Sequence, residues 1–469
     1  MVEGLVAPMS DTDWSAIISD FALKSRFFIS LGVPRLKKAL LVSAVLMLAS
    51  VSFLSCGGSS SSGKPPSGLT ERVLVSQNVS SPTASPGLAI IDGANDTLAH
   101  VSEIRAGSSP SQMAISPTKQ TVLVFDSING SSTVEVVNTH SESSSGSAQL
   151  AGPTTSMVIP VTTSIGYAAV ASATLQGYPP GAIEVMNLSN GGITTMIGAP
   201  NAQTIVANQN GTQLLVFSND SDSVSVVSPL LAVNPVDTGC NAPQTPACTV
   251  VAGFDRPVYG FFSGDGSTAY ILNCGAECGG TAASVQTLNL GTTPPTLGPS
   301  VPVEGATFGL ISGSTLYVAG TSPTNHACTG QSTTASVCGR LDIVDLGSMT
   351  VTGSVVIADG YHDHLDLSGN GQLFVGSHNC TEIGNVNNPR GEVRGCLSIF
   401  DTTKPGNTTA LMPPDNGDVT GLQGFTSRNV EYVVEGGNLR IYETPKDVLQ
   451  ATQITITGKL IDVKAIDFF

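Results

Sequence analysis

The 469-residue chain has a single tryptophan, 5% aromatic residues and 12% charged residues, and its 19 lysines and arginines face 35 aspartates and glutamates. Each shortage excludes something. Few aromatics leave no extended stacking platform for sugars. A formal net charge of −16 repels nucleic acid and anionic lipid head groups, so no nucleic-acid partner is expected. No CxxCH offers covalent haem attachment, and no GxSxG, Walker or GxGxxG motif stands between a strand and a helix. Long stretches with apolar residues at helical spacing are also missing. Ser, Thr, Val and Gly dominate from residue 69 onward, which points to an all-β chain.

One apolar run stands apart. Arg35, Lys37 and Lys38 precede an uncharged segment from Ala39 to Leu54, which ends in FLSC and is followed by GGSSSSG. The run is short for a membrane span and lacks the basic residues of a stop-transfer helix, so it reads as an export signal. FLSC resembles the lipobox of bacterial lipoproteins, although Phe53 stands where that family usually has Leu. The resemblance implies that Cys56 is lipidated and becomes the mature N-terminus. Residues 1–55 are then extension and signal, 56–71 a Gly/Ser/Pro tether, and 72–469 the folded domain. The expected location is the periplasm or cell surface, with the membrane as partner through the anchor. Loss of residues 1–55 removes 5 of the 19 basic and 4 of the 35 acidic residues, so the mature chain stays strongly acidic.

Besides Cys56, eight cysteines fall in four close pairs: Cys240 with Cys248, Cys274 with Cys278, Cys328 with Cys338, and Cys380 with Cys396. Even parity in an exported chain predicts four local disulfides. Zinc at Cys274 and Cys278 is the rival, and it lacks a second cysteine pair beside it.

From Arg72 onward one phrase recurs: a short apolar strand, a polar turn, a strand of hVhV type, a loop of variable length, and two further strands. First strands are visible at Gln112, Ser156, Gln203, Val258, Thr307, His364 and Thr420, and the turns SPTKQ, NQNGTQ, SGDGST and SGNGQ follow them. Second and third strands pair eight times, at Val73/Leu88, Val122/Val134, Tyr167/Ile183, Leu214/Val224, Ala269/Val285, Leu316/Leu341, Leu373/Leu397 and Tyr432/Leu439. The first pair lacks an inner strand, and the C-terminal IDVKAIDFF is a first strand with nothing after it. Pairing the two closes a ring without exposed sheet edges. The expectation is a monomeric β-propeller of eight four-stranded antiparallel blades, with seven as the alternative should the first or third unit merge into a neighbour.

The phrase resembles the YVTN-type propeller repeat of exported bacterial proteins over nearly all of residues 72–469. That family includes surface-layer proteins, binding proteins and lactonase-like enzymes, so the resemblance implies a fold more than a function. Eight-bladed quinoprotein dehydrogenases are similar in blade number but carry repeated Trp motifs, and Trp14 lies outside the ring.

Three long loops between second and third strands, over 273–283, 320–339 and 377–395, hold or adjoin three of the cysteine pairs and mark one face of the ring as a place for a protein or small-molecule ligand. The sharpest constellation is GYHDHLDLSGNGQLFVGSHNC. There His362, His364 and Asp366 alternate along one first strand and are expected to share a face. His378 ends the adjacent strand and His326 lies in the neighbouring long loop. If Leu367 and Gln372 flank the SGNG turn, His378 points to the other side, although one bulge would reverse that. Such residues can take a divalent metal or a ligand, while no other cofactor is expected. Asp363 joins them as the only carboxylate and imidazole cluster that could serve a hydrolase. A binding or scaffold propeller on the cell envelope is the first reading. A lactonase-like hydrolase or metal-dependent enzyme with its site at the channel mouth is the alternative.

Overall fold

In a computed structural model of the chain, the described residues are 64–78, 87–126, 132–161, 164–218, 220–229, 240, 247–323, 338–381, 394–404, 406–413 and 416–466. The expected signal segment, Cys56, Cys328 and His326 lie outside them. Helix is almost absent among the described residues, and none of it is long and apolar enough to cross a membrane.

The expected inner strands fold as such, at Pro110–Ile115, Ser156–Val158, Thr204–Ala207, Pro257–Phe262, Phe308–Ser312, Tyr361–Leu367 and Val419–Gly424. Four of them are followed by a hairpin whose chemistry recurs. The residue just after the inner strand turns its side chain onto the start of the next. Ser116, Ser263 and Ser368 accept from the N–H groups of Thr121, Thr268 and Gln372 through Oγ, and Asn208 accepts from Gln213 through Oδ1. Gly266 and Gly371 take φ of +71° and +86° in these turns, a conformation that a Cβ disfavours.

Blade 1 joins the two ends of the chain. Lys459–Ile466 is its inner strand and pairs antiparallel with Arg72–Asn78, which pairs in turn with Ala89–Asp92. Val73 faces Ala465 and Val75 faces Val463. Eight blades therefore close the ring. Seven have four strands in the described residues. In blade 7 (Tyr361–Leu367, Gln372–His378, Leu397–Asp401) the outer strand shrinks to one bridge between Ile399 and Leu411. The two weak units are physically thin: the outer strand of blade 1 is only Thr97–Leu98, and the inner strand of blade 3 only Ser156–Val158.

The apolar core lies between blades. Val73, Val75 and Val463 of blade 1 meet Tyr432, Val434 and Ile441 of blade 8, while Leu74 and Ile466 meet Val122 and Val124 of blade 2. The remaining six interfaces are filled in the same way. This explains the hVhV strands: both faces of every middle strand are covered, so both need apolar side chains. Gly421 shows how close the seam is, since a Cβ there would meet Val463 N at 2.9 Å and Asp462 Cα at 3.0 Å.

The folded unit begins at Lys64, so the last residues of the expected tether are seated on it. Ser67 donates through its backbone N–H and its Oγ to the Glu142 carboxylate, at 2.7 and 2.6 Å. Arg72, 1% exposed, reaches the same carboxylate at 2.6 Å and the Thr139 carbonyl at 2.6 Å.

Disulfides join Cys240 to Cys248, Cys274 to Cys278, and Cys380 to Cys396. Cys338 is also disulfide-bonded. Disulfides of this kind indicate an oxidising, exported environment. They leave no zinc thiolates at Cys274 and Cys278.

Candidate functional site

The inner strands start on the face that carries the long loops, because each starts beside the end of its own second strand. At that end they enclose a cavity of about 700 Å³, within the roughly 300–1,000 Å³ usual for small-molecule sites. Seven blades line it, including Gln112 and Met113 of blade 2, Met157 of blade 3, Gln203 of blade 4, Tyr259 of blade 5, Phe308 of blade 6, Tyr361, Asp363 and His364 of blade 7, and Asp462 and Lys464 of blade 1.

The blade 7 histidines do not share a face as expected. Tyr361 pairs with His378 and His362 with Ser377, but His364 pairs with Gly376, so the register slips between His362 and His364. Asp363 is the extra residue of a β-bulge. Opposed residues point to the same side of a sheet, so the bulge sends His362 to one face and leaves Tyr361, His364, Asp366 and His378 together on the other.

His362 is accordingly structural. It is 1% exposed, with Nε2 at 3.0 Å from the Ala358 carbonyl oxygen. A carbonyl only accepts, so Nε2 carries the proton. Burial pushes this imidazole down to about 4. A Cβ on Gly339 would stand 2.8 Å from its Cε1, which makes that glycine part of its seat.

The bulge residue does the opposite. Asp363 turns one carboxylate oxygen to His364 Nδ1 at 2.6 Å and the other to His378 Nδ1 at 3.2 Å. Burial raises the Asp363 pKa, but hydrogen bonds from the two imidazoles and their charge outweigh it and hold the carboxyl well below its usual range. The hydrogen bond from Asp363 raises His378, against partial burial. The Tyr361 ring lies over His378 with centroids 5.2 Å apart, and burial, with Asp363 and Glu277 nearby, pushes its phenol up to about 12. His364 keeps 28% exposure of its side chain and lines the cavity.

Asp366 sits deeper, between blades 7 and 8, and accepts from the Gly424 N–H at 2.7 Å. Beside it is Glu431, fully buried, with no donor to either carboxylate oxygen. Burial and the neighbouring Asp366 charge raise Glu431 well above its normal value, so it keeps its proton and gives it to Asp366 in a hydrogen bond. Asp366 is thus occupied by a structural contact. Among the described residues no three His, Cys, Asp or Glu side chains converge in a metal-ligating group. The set His362, His364, Asp366 does not fit a divalent ion, because the bulge splits it between two faces.

Sequence reasoning missed Asp462 and Lys464, although a charged pair at alternate positions of the apolar phrase IDVKAI marks one strand face. Lys464 Nζ lies 2.8 Å from Asp462 Oδ1. It also missed a second cavity of about 490 Å³ between blades 5 and 6, lined by Glu277, Glu304 and Asp342. There burial lifts Glu277 to about 7, against a hydrogen bond from the Thr321 N–H. No motif announces these three, since they lie far apart in sequence.

No family model matches the chain, and no curated protein matches it. Solved structures do. A dihydro-heme d1 dehydrogenase, NirN, superposes with a TM-score of 0.55 at 11% identity, over 86% of this chain and 79% of that one. The periplasmic gluconolactonase of Pseudomonas aeruginosa gives 0.46 at 13% identity, over 85% and 99%. The hydrazine synthase of Kuenenia stuttgartiensis gives 0.45 at 15% identity, over 74% and 87%. At such identities the likeness shows the fold alone.

Proposed function

We propose that this propeller is an envelope hydrolase of small esters, lactones among them, in which His364 is the general base and the chain is held to a membrane by a lipid on Cys56. One observation carries the reading: an imidazole facing a ligand-sized cavity has its Nδ1 fixed by the neighbouring half-buried carboxylate, the Asp363–His364 contact of 2.6 Å. With Nδ1–H donated to Asp363, Nε2 presents its lone pair. It takes a proton from water as the water oxygen attacks the ester carbonyl, and returns that proton to the departing alkoxide. Asp363 orients the ring and stabilises the imidazolium that forms. His378, on the other oxygen, keeps Asp363 ionised and in place. The apolar run, FLSC and the Gly/Ser tract support the anchor.

The test is acid release from a panel of lactones and short-chain esters by the purified full-length protein. His364→Gln and Asp363→Asn should each lower the rate by about 100-fold or more while the melting temperature stays within a few degrees. Ligands that bind in the channel without turnover, and equally in wild type and His364→Gln, would return the protein to the binding-propeller reading. Intact-mass analysis of membrane-extracted protein checks the acylated Cys56.

A further inference from the structure

We infer that the channel is built for an uncharged amphipathic ligand, an apolar tail lying against Tyr259 and Phe308 and a neutral carbonyl head at His364, and that it rejects phosphorylated or carboxylated ligands. The inference rests on the hydrolase reading only for the role of His364 at the head.

The walls differ in character. Blades 5 and 6 present an aromatic wedge, in which Tyr259 packs against Phe308 with centroids 4.6 Å apart and edge-on against Phe261 at 5.2 Å. Tyr259 and Phe308 both border the cavity, as do Met113 and Met157 on the wall from blades 2 and 3. Aromatic rings and thioethers offer polarisable contact to a hydrocarbon, and on this wedge only the Tyr259 O–H could donate to an anion.

The charges point the same way. Lys464 is the only Lys or Arg among the described residues lining the cavity, and it is held by Asp462 at 2.8 Å. Asp462 in turn accepts the N–H groups of Met113 and Val463, so it is fixed where it stands. The other charged group on the wall, Asp363, is an anion bracketed by imidazoles. A phosphate needs several free donors, a bidentate guanidinium or a helix N-terminus. It would instead meet two carboxylates, inside a chain of net charge −16. An uncharged head meets neither penalty.

Calorimetric binding to full-length protein decides this, with His364→Gln used to prevent turnover. The probes are a five-membered lactone bearing alkanoylamino tails of four, eight and twelve carbons, and a six-membered sugar lactone with and without a phosphate. Affinity should rise with tail length in this variant, and acid release by the wild type is measured separately on the same probes. Phe308→Leu and Tyr259→Leu should each lower affinity for the eight-carbon probe about tenfold, and the phosphorylated sugar lactone should show no binding. Tight binding of the phosphorylated probe, or affinity independent of tail length, overturns the inference. Tail-dependent binding without hydrolysis of any probe keeps the inference and removes the hydrolase reading. Hydrolysis that ignores the tail and accepts phosphate does the reverse.

Discussion

The Asp462 carboxylate of the closing strand accepts the backbone N–H of Met113, on the neighbouring blade, at 2.7 Å. It also accepts from Val463 N–H at 2.7 Å and Lys464 Nζ at 2.8 Å while only 4% exposed. The last strand is thus bound to blade 2 as well as to its own sheet. Asp462→Ala leaves these donors facing a gap, and should cost roughly 2–4 kcal/mol. Removing residues 459–469 takes away Leu460, Val463 and Ile466, each worth about 1.5–3 kcal/mol buried, a sum comparable with the whole stability of a domain. The shortened chain should lose its cooperative thermal transition, measured by calorimetry, whereas deletion of residues 57–63 should leave the melting temperature unchanged.

The protonated Glu431 predicts a pH dependence of stability. Its pKa is raised on folding, so its contribution is complete below the unfolded value of 4.5 and declines as pH rises through the folded value. Glu431→Gln keeps a donor for Asp366 without the ionisation. Melting temperatures across pH 5 to 9 should therefore fall less steeply in the variant. Parallel curves would mean that Glu431 is already ionised at the lower pH.

His378 should titrate above the ordinary imidazole value of 6.5, because Asp363 favours the charged ring. Asp363→Asn removes that carboxylate, and the imidazole resonances of His378 should then shift their midpoint downward in NMR. Stability from this pair is complete below 6.5 and is lost as pH rises through the folded value.

The Cys380–Cys396 disulfide closes a loop with a sequence separation of 16, immediately after His378. Replacing both cysteines by alanine should lower stability by about 3 kcal/mol, read from urea unfolding. Hydrolysis should fall too, through loss of order at His378.

Much of this architecture was legible in the sequence because propeller blades bury both faces of their middle strands, which makes TVLVF, QLLVF and TLYVA conspicuous. Ring closure was legible by elimination, since IDVKAIDFF had no partner and Val73 had none on its inner side. Detail at the edges was not. At the closing strand, a bulge at Ser76/Gln77 buries Leu460, one residue ahead of the phrase IDVKAI, and leaves Ile461 half-buried. The bulge at Asp363 likewise reversed the side of His362, because an inserted residue in a ladder changes side-chain facing without changing hydrophobic pattern. Contacts across blades, such as Asp366 with Glu431, join residues far apart in sequence and leave no local signature.

The Ser67–Glu142–Arg72 clamp has a mechanical consequence. Tension applied to the chain ahead of Lys64 meets the Glu142 carboxylate, with Ser67 N–H and Oγ at 2.7 and 2.6 Å and Arg72 at 2.6 Å, before it reaches the strand Arg72–Asn78. That carboxylate belongs to the turn after Thr133–Asn138 in blade 2, so a pull on the terminus is shared between two blades instead of peeling one strand from the seam. In a single-molecule pulling experiment, Glu142→Gln should lower the force at which the ring first opens.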